Sequence, residues 1–315
     1  MISHPEPTRE INPPRRGAYC LANDQALEWF QMFVRSLRHF NPALPLTIIP
    51  YNGEVTRLRQ FAPQFNFDIL PEAEVSRFDA LETRIMKLGS HAAMFRKWAG
   101  FFGPYEEFMF FDADIAITLP LEIIFNAFAG SDYDFVYFDT DITKVYRPEC
   151  IAEMQSIYHS PGFNAGAFVS RKGVITETEL WQMADRAVAD YHRLKPDQVD
   201  QPFLNYVFDT LPRRIAHVNT LRPELALKPW ARVPFHYDAR RDRMLDADGR
   251  ELPFIHWAGC HHPTMVRPEI YLKYRTLGLG LAERTGYRLD FYRRRYNRQF
   301  RSRVKQAMRN LKPET

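Results

Sequence analysis

The clearest hydrophobic pattern lies in residues 106–120, where the apolar run Phe108–Phe111 is followed directly by Asp112-Ala113-Asp114. A short, continuous apolar run predicts a strand that is buried on both faces, as in a parallel sheet. Open α/β sheets bind their ligands at the carboxyl ends of the strands. Asp112 and Asp114 are therefore candidates for a binding site at the end of a central strand.

Comparable patterns elsewhere predict an alternation of strands and helices. The predicted strands cover residues 17–22, 46–51, 66–70, 133–138, 214–218 and 252–257. The predicted helices are one that ends at Phe40 and others over 83–102, 119–128, 174–192 and 197–208. Such alternation is typical of an α/β fold in which helices cover both faces of a mostly parallel sheet.

Composition narrows the class of protein. The chain has 315 residues, of which 45% are hydrophobic and 25% are charged, as in ordinary globular proteins. It contains no run of 18 apolar residues, and its first 16 residues lack the apolar core of a signal peptide. Three widely spaced cysteines suggest neither a disulfide framework nor a zinc site. These features predict a cytoplasmic protein.

Two carboxylates one residue apart can hold a hard divalent cation through their oxygens. Two further Asp-x-Asp pairs bear on the choice of site. Asp246-Ala247-Asp248 precedes Gly249 in a polar segment and predicts a hairpin turn. Asp139-Thr140-Asp141 follows another apolar run and is a rival for the metal site.

Four motifs occur in a defined order: the strand that ends in Asp112-Ala113-Asp114, then Phe163–Gly166, Asp200–Asn205 and His256–Pro263. Together they resemble the GT-A glycosyltransferases, most closely family 8, over residues 17–263. The resemblance implies a single GT-A (Rossmann-like) domain with a mostly parallel central sheet and a C-terminal helical extension. It also implies transfer of a sugar from a nucleotide-diphosphate donor, a UDP-sugar, with Mn²⁺ or Mg²⁺ as cofactor.

The same resemblance implies roles for individual residues. Asp112, Asp114 and His256 would hold the metal, Asp200 would bind a sugar hydroxyl, and Gln201 would lie near the anomeric carbon. The implied donor-binding residues are Ala22, Asn23, Asp24, Arg96, Asn164, Ala165, Gly166, Gly259 and His262. The sequence departs from the family at His262, where relatives have a lysine that neutralises the leaving diphosphate. His261 and Arg267 are further candidates for neutralising the leaving diphosphate.

Gln201 is a poor base and a poor nucleophile, which favours front-side attack with retention of configuration. The acceptor is expected to be a saccharide or a lipid-linked molecule, as in the synthesis of surface polysaccharide or glycolipid. Two alternatives remain: a sugar nucleotidyltransferase and a non-catalytic protein that binds sugar nucleotides. The first usually has a glycine-rich basic loop after strand one, where this chain has Ala22-Asn23-Asp24-Gln25. The second would be expected to have lost Asp112 or Asp114.

The C-terminal region differs from the rest in charge. We predict a leader (1–16), a catalytic domain (17–263) and a basic helical extension (264–315). Residues 288–315 hold ten lysines and arginines against two acidic residues. The apolar positions among them follow a helical spacing: Leu289, Tyr292, Tyr296, Phe300, Val304, Met308 and Leu311. An apolar stripe between cations predicts that residues 288–312 bind an anionic membrane surface or pack on the domain, and nucleic-acid binding is not expected.

Overall fold

The computed structural model describes residues 15–86 and 93–310. Within these ranges, the strands are β1 (Arg16–Ala22), β2 (Leu46–Pro50), β3 (Asp68–Ile69), β4 (Glu107–Asp112), β5 (Ile115–Ile117), β6 (Phe135–Tyr137), β7 (Ala167–Arg171), β8 (Ile215–His217), β9 (Phe235–Asp238), β10 (Arg243–Asp246) and β11 (Phe254–His256). The helices are α1 (Leu27–Phe40), α2 (Thr56–Phe65), α3 (Glu72–Val75), α4 (Asp79–Met86), α5 (Ala99–Phe102), α6 (Glu122–Ala129), α7 (Ile151–Tyr158), α8 (Glu177–Ala189), α9 (Gln201–Thr210), α10 (Val218–Leu221), α11 (Pro268–Arg275) and α12 (Leu281–Asn310).

Seven strands form the central sheet in the order β3-β2-β1-β4-β7-β6-β8. Neighbouring strands are parallel except at β7, which runs antiparallel to both β4 and β6. The prediction of an α/β fold with a mostly parallel sheet is confirmed. β4 occupies the middle of the order, so its carboxyl end is flanked by β1 and β7.

The apolar run of β4 is fully buried, as its pattern predicts. Successive side chains of a strand point to opposite faces of the sheet. Phe110 accordingly stacks on Phe168 on one face, and Phe111 packs against Phe33 of α1 on the other. Each buried ring contributes about 2 kcal/mol by leaving water. This packing on both faces fixes the direction in which β4 delivers Asp112.

A two-stranded antiparallel ribbon, formed by β5 and β11, follows the carboxyl end of β4. Its register aligns His256 with Ile115 and Ile255 with Ala116. The backbone N–H of Trp257 also donates to the carbonyl of Asp114 at 3.0 Å. The ribbon therefore brings a histidine from late in the chain beside the carboxylates that follow β4.

The single helix predicted for residues 83–102 is wrong. α4 ends at Met86, residues 87–92 lie outside the described part of the chain, and a 3-10 turn, Met94–Trp98, then leads into α5. Ala93 precedes this turn with a φ of 42°, in the left-handed region that a continuous α-helix does not contain. Most side chains of the turn are buried. The neighbours that they contact are set by the geometry of the turn, and a helical repeat does not predict them.

The C-terminal helix α12 is held against α1 and α11. Phe291 is buried and stacks on Tyr271, while Glu28 of α1 accepts hydrogen bonds from the Tyr287 hydroxyl and from Arg294. The apolar stripe identified in the sequence lies on a different face of the helix. Its described members are exposed: Leu289, Tyr292, Tyr296 and Phe300. Among the described helices, none is long and apolar enough to cross a membrane.

Candidate active site

The carboxylates at the end of β4 and the histidine at the end of β11 form one cluster. One ligand atom each from Asp112, Asp114 and His256 lies within 4.8 Å of the other two. The Nε2 atom of His256 is 3.2 Å from Asp114 Oδ1 and 4.0 Å from Asp112 Oδ2. Two carboxylates and an imidazole form a donor set that can bind a divalent cation. The structure thus brings together the three residues that the sequence predicts as metal ligands.

The electrostatics of the cluster fit the same role. Burial, together with the negative charge of Asp114, raises the pKa of Asp112 to about 6, although Lys97 opposes this shift. For His256, burial lowers the pKa, but the carboxylates of Asp114, Asp112 and Asp139 outweigh burial and raise it overall. The shift of Asp112 is due mainly to burial, whereas the shift of His256 shows an excess of negative charge around the imidazole. A bound dication would supply the missing positive charge.

Gly166 allows the cluster to close. A Cβ atom at this position would lie 2.6 Å from Asp112 Oδ2 and 2.5 Å from His256 Cε1, too near for either to stay in place. The Gly166 carbonyl accepts from the Asp112 N–H, and its own N–H donates to Asn164 Oδ1, both at 2.8 Å. Asn164, Ala165 and Gly166 therefore lie beside the cluster and shape the backbone around it.

We expect Gly166→Ala to weaken divalent-cation binding at least about tenfold, because the added methyl group displaces a carboxylate and the imidazole together. Calorimetric titration with Mn²⁺ measures this effect. Gly53→Ala is the matched control, since its added methyl group would meet no atom within 4 Å beyond its chain neighbours. Equal Mn²⁺ affinity in Gly166→Ala and wild type would show that Gly166 does not limit the geometry of the cluster.

A buried lysine that the sequence analysis did not assign to the site lies next to the cluster. Lys97 Nζ is 2.6 Å from Asp200 Oδ2, 2.9 Å from the Ala165 carbonyl oxygen and 3.9 Å from Asp112 Oδ1. It also lies 4.8 Å from the centre of the Phe110 ring. Burial lowers the pKa of Lys97, but the surrounding carboxylates outweigh burial and raise it, so the amine stays charged. Lys97 therefore links the start of α9 to the end of β4.

Asp200 and Gln201 lie at the start of α9. Asp200 is buried and pairs with Lys97, while the Gln201 carbonyl accepts from Asn205 Nδ2. Asn205 also exchanges two hydrogen bonds of 2.8 Å with the backbone of Phe163. These contacts couple α9 to the Phe163–Gly166 segment. Together with the contact between His256 and Asp114, they join all four sequence motifs through side-chain contacts.

A cavity of about 520 Å³ opens beside the carboxylates. Ala22 and Asn23, at the end of β1, line it together with Asp112 and Asp114. Asp24 is engaged elsewhere, because its carboxylate accepts from the backbone N–H groups of Arg57 and Leu58 at 2.9 Å. In this structure Asp24 therefore caps α2.

Arg96 is not among the described residues that line this cavity. Its guanidinium forms two hydrogen bonds of 2.7 Å with Asp79, pairs with Glu72, and donates to the Pro50 carbonyl. Of the two adjacent cations in the 3-10 turn, Lys97 is the one that reaches the cluster. The sequence could not distinguish them, because the choice depends on the turn that replaces the predicted helix.

Gly259 and His262 lie in the loop that follows β11. Gly259 has a φ of 68°, which favours glycine, and a Cβ added there would meet no atom within 4 Å beyond its chain neighbours. His262 lines a smaller cavity of about 120 Å³ between this loop, α1 and α12. The loop therefore lies between the C-terminal helix and the end of the sheet that holds Asp112 and Asp114, because His261 lines the cavities on both sides.

The two rival carboxylate pairs have other partners. Asp139 is buried and accepts a hydrogen bond from Trp230 Nε1, and burial raises the pKa of its carboxyl to about 6. Asp141 accepts from the Thr143 N–H at 3.2 Å and caps a 3-10 turn. Asp246 accepts from two backbone N–H groups in the turn after β10. Within the described ranges, neither pair belongs to a cluster of three possible metal ligands.

Comparisons with known proteins show the fold. No protein-family model and no curated protein matches the sequence. Among solved structures, the apo form of the bifunctional glycosyltransferase WbbM matches with a TM-score of 0.54 at 12% identity, over 89% of this chain and 52% of WbbM. The chain thus spans about half the length of that protein.

The galactosyltransferase LgtC, solved with donor and acceptor sugar analogues, matches with a TM-score of 0.50 at 14% identity, over 86% of this chain and 99% of LgtC. An active-site variant of LgtC matches with a TM-score of 0.51 at 16% identity, over the same shares of the two chains. These likenesses confirm the predicted GT-A fold.

Proposed function

We propose that this protein is a metal-dependent glycosyltransferase whose donor is a UDP-sugar. The observation that carries the proposal is the convergence of Asp112, Asp114 and His256 at the centre of a GT-A sheet, beside the 520 Å³ cavity. A volume of this size is typical of small-molecule sites. LgtC, which shares the fold, was solved with donor and acceptor sugar analogues, and this supports the same class of substrate here.

The residues present suit Mn²⁺, and also Mg²⁺ if water completes its coordination. When bound, the cation acts as a Lewis acid on the donor's phosphate and orients the donor. Asp112, Asp114 and His256 would hold it at the end of β4. Lys97 neutralises Asp112 and Asp200 from the buried side, which keeps both carboxylates in place for binding.

The remaining motif residues would bind and orient the transferred sugar. Asn164, Ala165 and Gly166 would line it, Asp200 would accept a hydrogen bond from a sugar hydroxyl, and Gln201 would face the anomeric carbon. An amide neither removes a proton nor forms a stable glycosyl ester. We therefore propose transfer with retention, in which the leaving phosphate accepts the proton of the acceptor hydroxyl.

A sugar nucleotidyltransferase is the second candidate, and the local structure after β1 disfavours it. Asn23 caps the short turn Asp24–Ala26 by accepting a hydrogen bond from the Ala26 N–H, and α1 follows at once. No glycine occurs between Ala22 and Phe40, so a glycine-rich loop cannot wrap a triphosphate at this point.

A panel of nucleotide sugars, incubated with Mn²⁺ and followed by mass spectrometry, separates the candidates. Slow metal-dependent release of UDP from one donor is the expected result. Formation of pyrophosphate from UTP and a sugar 1-phosphate would instead support the nucleotidyltransferase. Tight binding of nucleotide sugar without release of UDP, with or without saccharide acceptors, would support a binding protein.

We further propose that α12 holds the enzyme at an anionic, cytoplasmic membrane surface, where a lipid-linked acceptor would lie. Tyr287 and Phe291 occupy the packed face of the helix, which leaves Leu289, Tyr292, Tyr296 and Phe300 free to enter an interface. Each basic residue near an anionic surface adds about 1 kcal/mol of attraction. The exposed apolar stripe and the cations beside it fit a helix that lies in the plane of a membrane interface.

The double variant Tyr296→Ser/Phe300→Ser should co-sediment about tenfold less with vesicles of phosphatidylserine and phosphatidylcholine, because both rings are exposed and available for burial. Ile157→Ser, at an exposed apolar position on α7, is the matched control. Sedimentation of the double variant at the wild-type level would contradict the membrane role.

A further inference from the structure

The cavity beside the carboxylates adjoins a second cavity under the C-terminal helix. The first, of about 520 Å³, contains Asp112 and Asp114 in its wall, and the second, of about 120 Å³, lies between the loop after β11 and α12. Gln25, Trp29 and His261 line both. A ligand held at the carboxylates can therefore extend past these three residues toward α12.

The larger cavity lacks the cations that a diphosphate needs. Its described wall contains Asp112 and Asp114 but no lysine or arginine. Lys97 lies near Asp112 on the buried side of the site. It is only 2% exposed and is paired with Asp200, so it is not available to a ligand in the cavity. Two phosphates carry more negative charge than one divalent cation neutralises, and phosphate sites usually add arginine or lysine for this purpose. The additional cation must therefore come from a neighbouring wall.

The smaller cavity supplies two arginines, of which one is already engaged. Arg294 pairs with Glu28 at 2.8 Å and with Asp290 at 2.9 Å. Arg298, one turn further along α12, forms no ion pair with any side chain that the structure describes, and its position is exposed. Its guanidinium is free to bind an anion.

The histidine in this wall is a weaker candidate for the cation. Burial and the positive charge of Arg298 lower the pKa of His262 below its ordinary value, so its imidazole is neutral at pH 7. A neutral imidazole can donate one hydrogen bond, whereas a guanidinium stays charged and presents a fork that matches two phosphate oxygens.

We propose that Arg298 binds the terminal phosphate of the nucleoside diphosphate and that α12 thereby completes the donor site. This inference rests on the proposed function, because it needs a diphosphate bound at Asp112 and Asp114. It gives the C-terminal helix a role in binding the leaving group that is separate from membrane attachment.

Calorimetric binding of UDP and UMP to the full chain with Mn²⁺ tests the proposal. UMP lacks the terminal phosphate, so Arg298→Gln should weaken UDP binding about tenfold and leave UMP binding unchanged. Arg298→Lys should retain part of the difference. Arg293→Gln, whose side chain is 75% exposed on the same helix, removes the same charge and should change neither affinity.

The outcomes separate this inference from the function on which it rests. Wild-type UDP affinity in Arg298→Gln, or an equal loss for UDP and UMP, would overturn the role of Arg298 while leaving the glycosyltransferase proposal intact. If the wild-type chain binds no nucleoside diphosphate in the presence of Mn²⁺, both proposals are wrong. The thermal midpoint of each variant identifies any that has failed to fold, so that an equal loss of UDP and UMP binding is read only in a variant with the wild-type midpoint.

Discussion

Asp114→Asn should lower metal-dependent release of UDP about a thousandfold while the protein remains folded. The substitution keeps the size of the side chain but removes a negative charge that lies 3.2 Å from His256 Nε2. An amide is a poor ligand for a divalent cation compared with a carboxylate, and loss of the cation removes the main stabilisation of charge on the leaving phosphate. Steady-state rates over a range of Mn²⁺ concentrations, together with the thermal midpoint, measure both effects.

Two other aspartates provide controls for this substitution. Asp248→Asn makes the same change in an exposed turn, where the carboxylate contacts Arg250, and should leave turnover unchanged. Asp139→Asn keeps an oxygen that can accept the hydrogen bond from Trp230, and should cost less than about tenfold. If Asp139→Asn abolishes turnover and Asp114→Asn does not, the metal site has been assigned to the wrong carboxylates.

Lys97→Met should be the most destabilising substitution near the site. It removes a buried ammonium and leaves the negative charges of Asp112 and Asp200 without their partner. Breaking a buried ion pair from one side costs about 3 kcal/mol, because the remaining charge stays desolvated. Urea unfolding at pH 7.5 should show a loss of this size in the free energy of unfolding, together with loss of metal-dependent turnover.

The same variant should show a distinctive dependence on pH. Lys97 now lowers the pKa of Asp112, which burial has raised to about 6, so its removal raises that pKa further. The folded variant then binds a proton that the unfolded chain, with an aspartate pKa of about 4, has already released. Its stability should therefore fall as the pH rises from about 4 to beyond 6, over a wider range of pH than in the wild type. Lys172→Met, on the surface, is the control, and an equally small effect of both substitutions would contradict the structural role of Lys97.

Much of this site could be predicted from local sequence. The apolar run of β4 indicates a strand buried on both faces, and a strand of that kind delivers Asp112 to the ligand-binding edge of the sheet. His256 was assigned through a resemblance, and the structure supplies the physical cause of its position. The register of β5 with β11 aligns it with Ile115, one residue after Asp114. Pairing between strands so distant in the chain is not visible in the periodicity of either one.

The choice between Arg96 and Lys97 shows where sequence reasoning fails. Both cations stand in a segment whose apolar spacing resembles an α-helix, and neighbouring positions on a helix face different directions. The turn after Ala93 changes those directions. It places Arg96 among Asp79 and Glu72 and aims Lys97 at Asp112. The deciding contacts are long-range, so no local pattern contains them.

The C-terminal helix was only partly predictable for a similar reason. Its apolar stripe is evident in the spacing of Leu289, Tyr292 and Tyr296, yet these residues are exposed in the structure. The face that packs contains Phe291, and a mixed aromatic and charged cluster around Glu28 holds it in place. Because polar contacts of this kind do not follow a hydrophobic repeat, the packed face could not be read from the periodicity.

Asp112, Asp114 and His256 are central to the proposed function because together they would hold a divalent cation required for donor binding. Calorimetric titration of UDP into the wild-type protein and into His256→Ala, across a series of fixed Mn²⁺ concentrations, tests this claim most directly. We expect wild-type UDP binding to require Mn²⁺, and we expect His256→Ala to need at least about ten times more Mn²⁺ for the same affinity. UDP binding that is independent of Mn²⁺, or an unchanged Mn²⁺ requirement in His256→Ala, would contradict it.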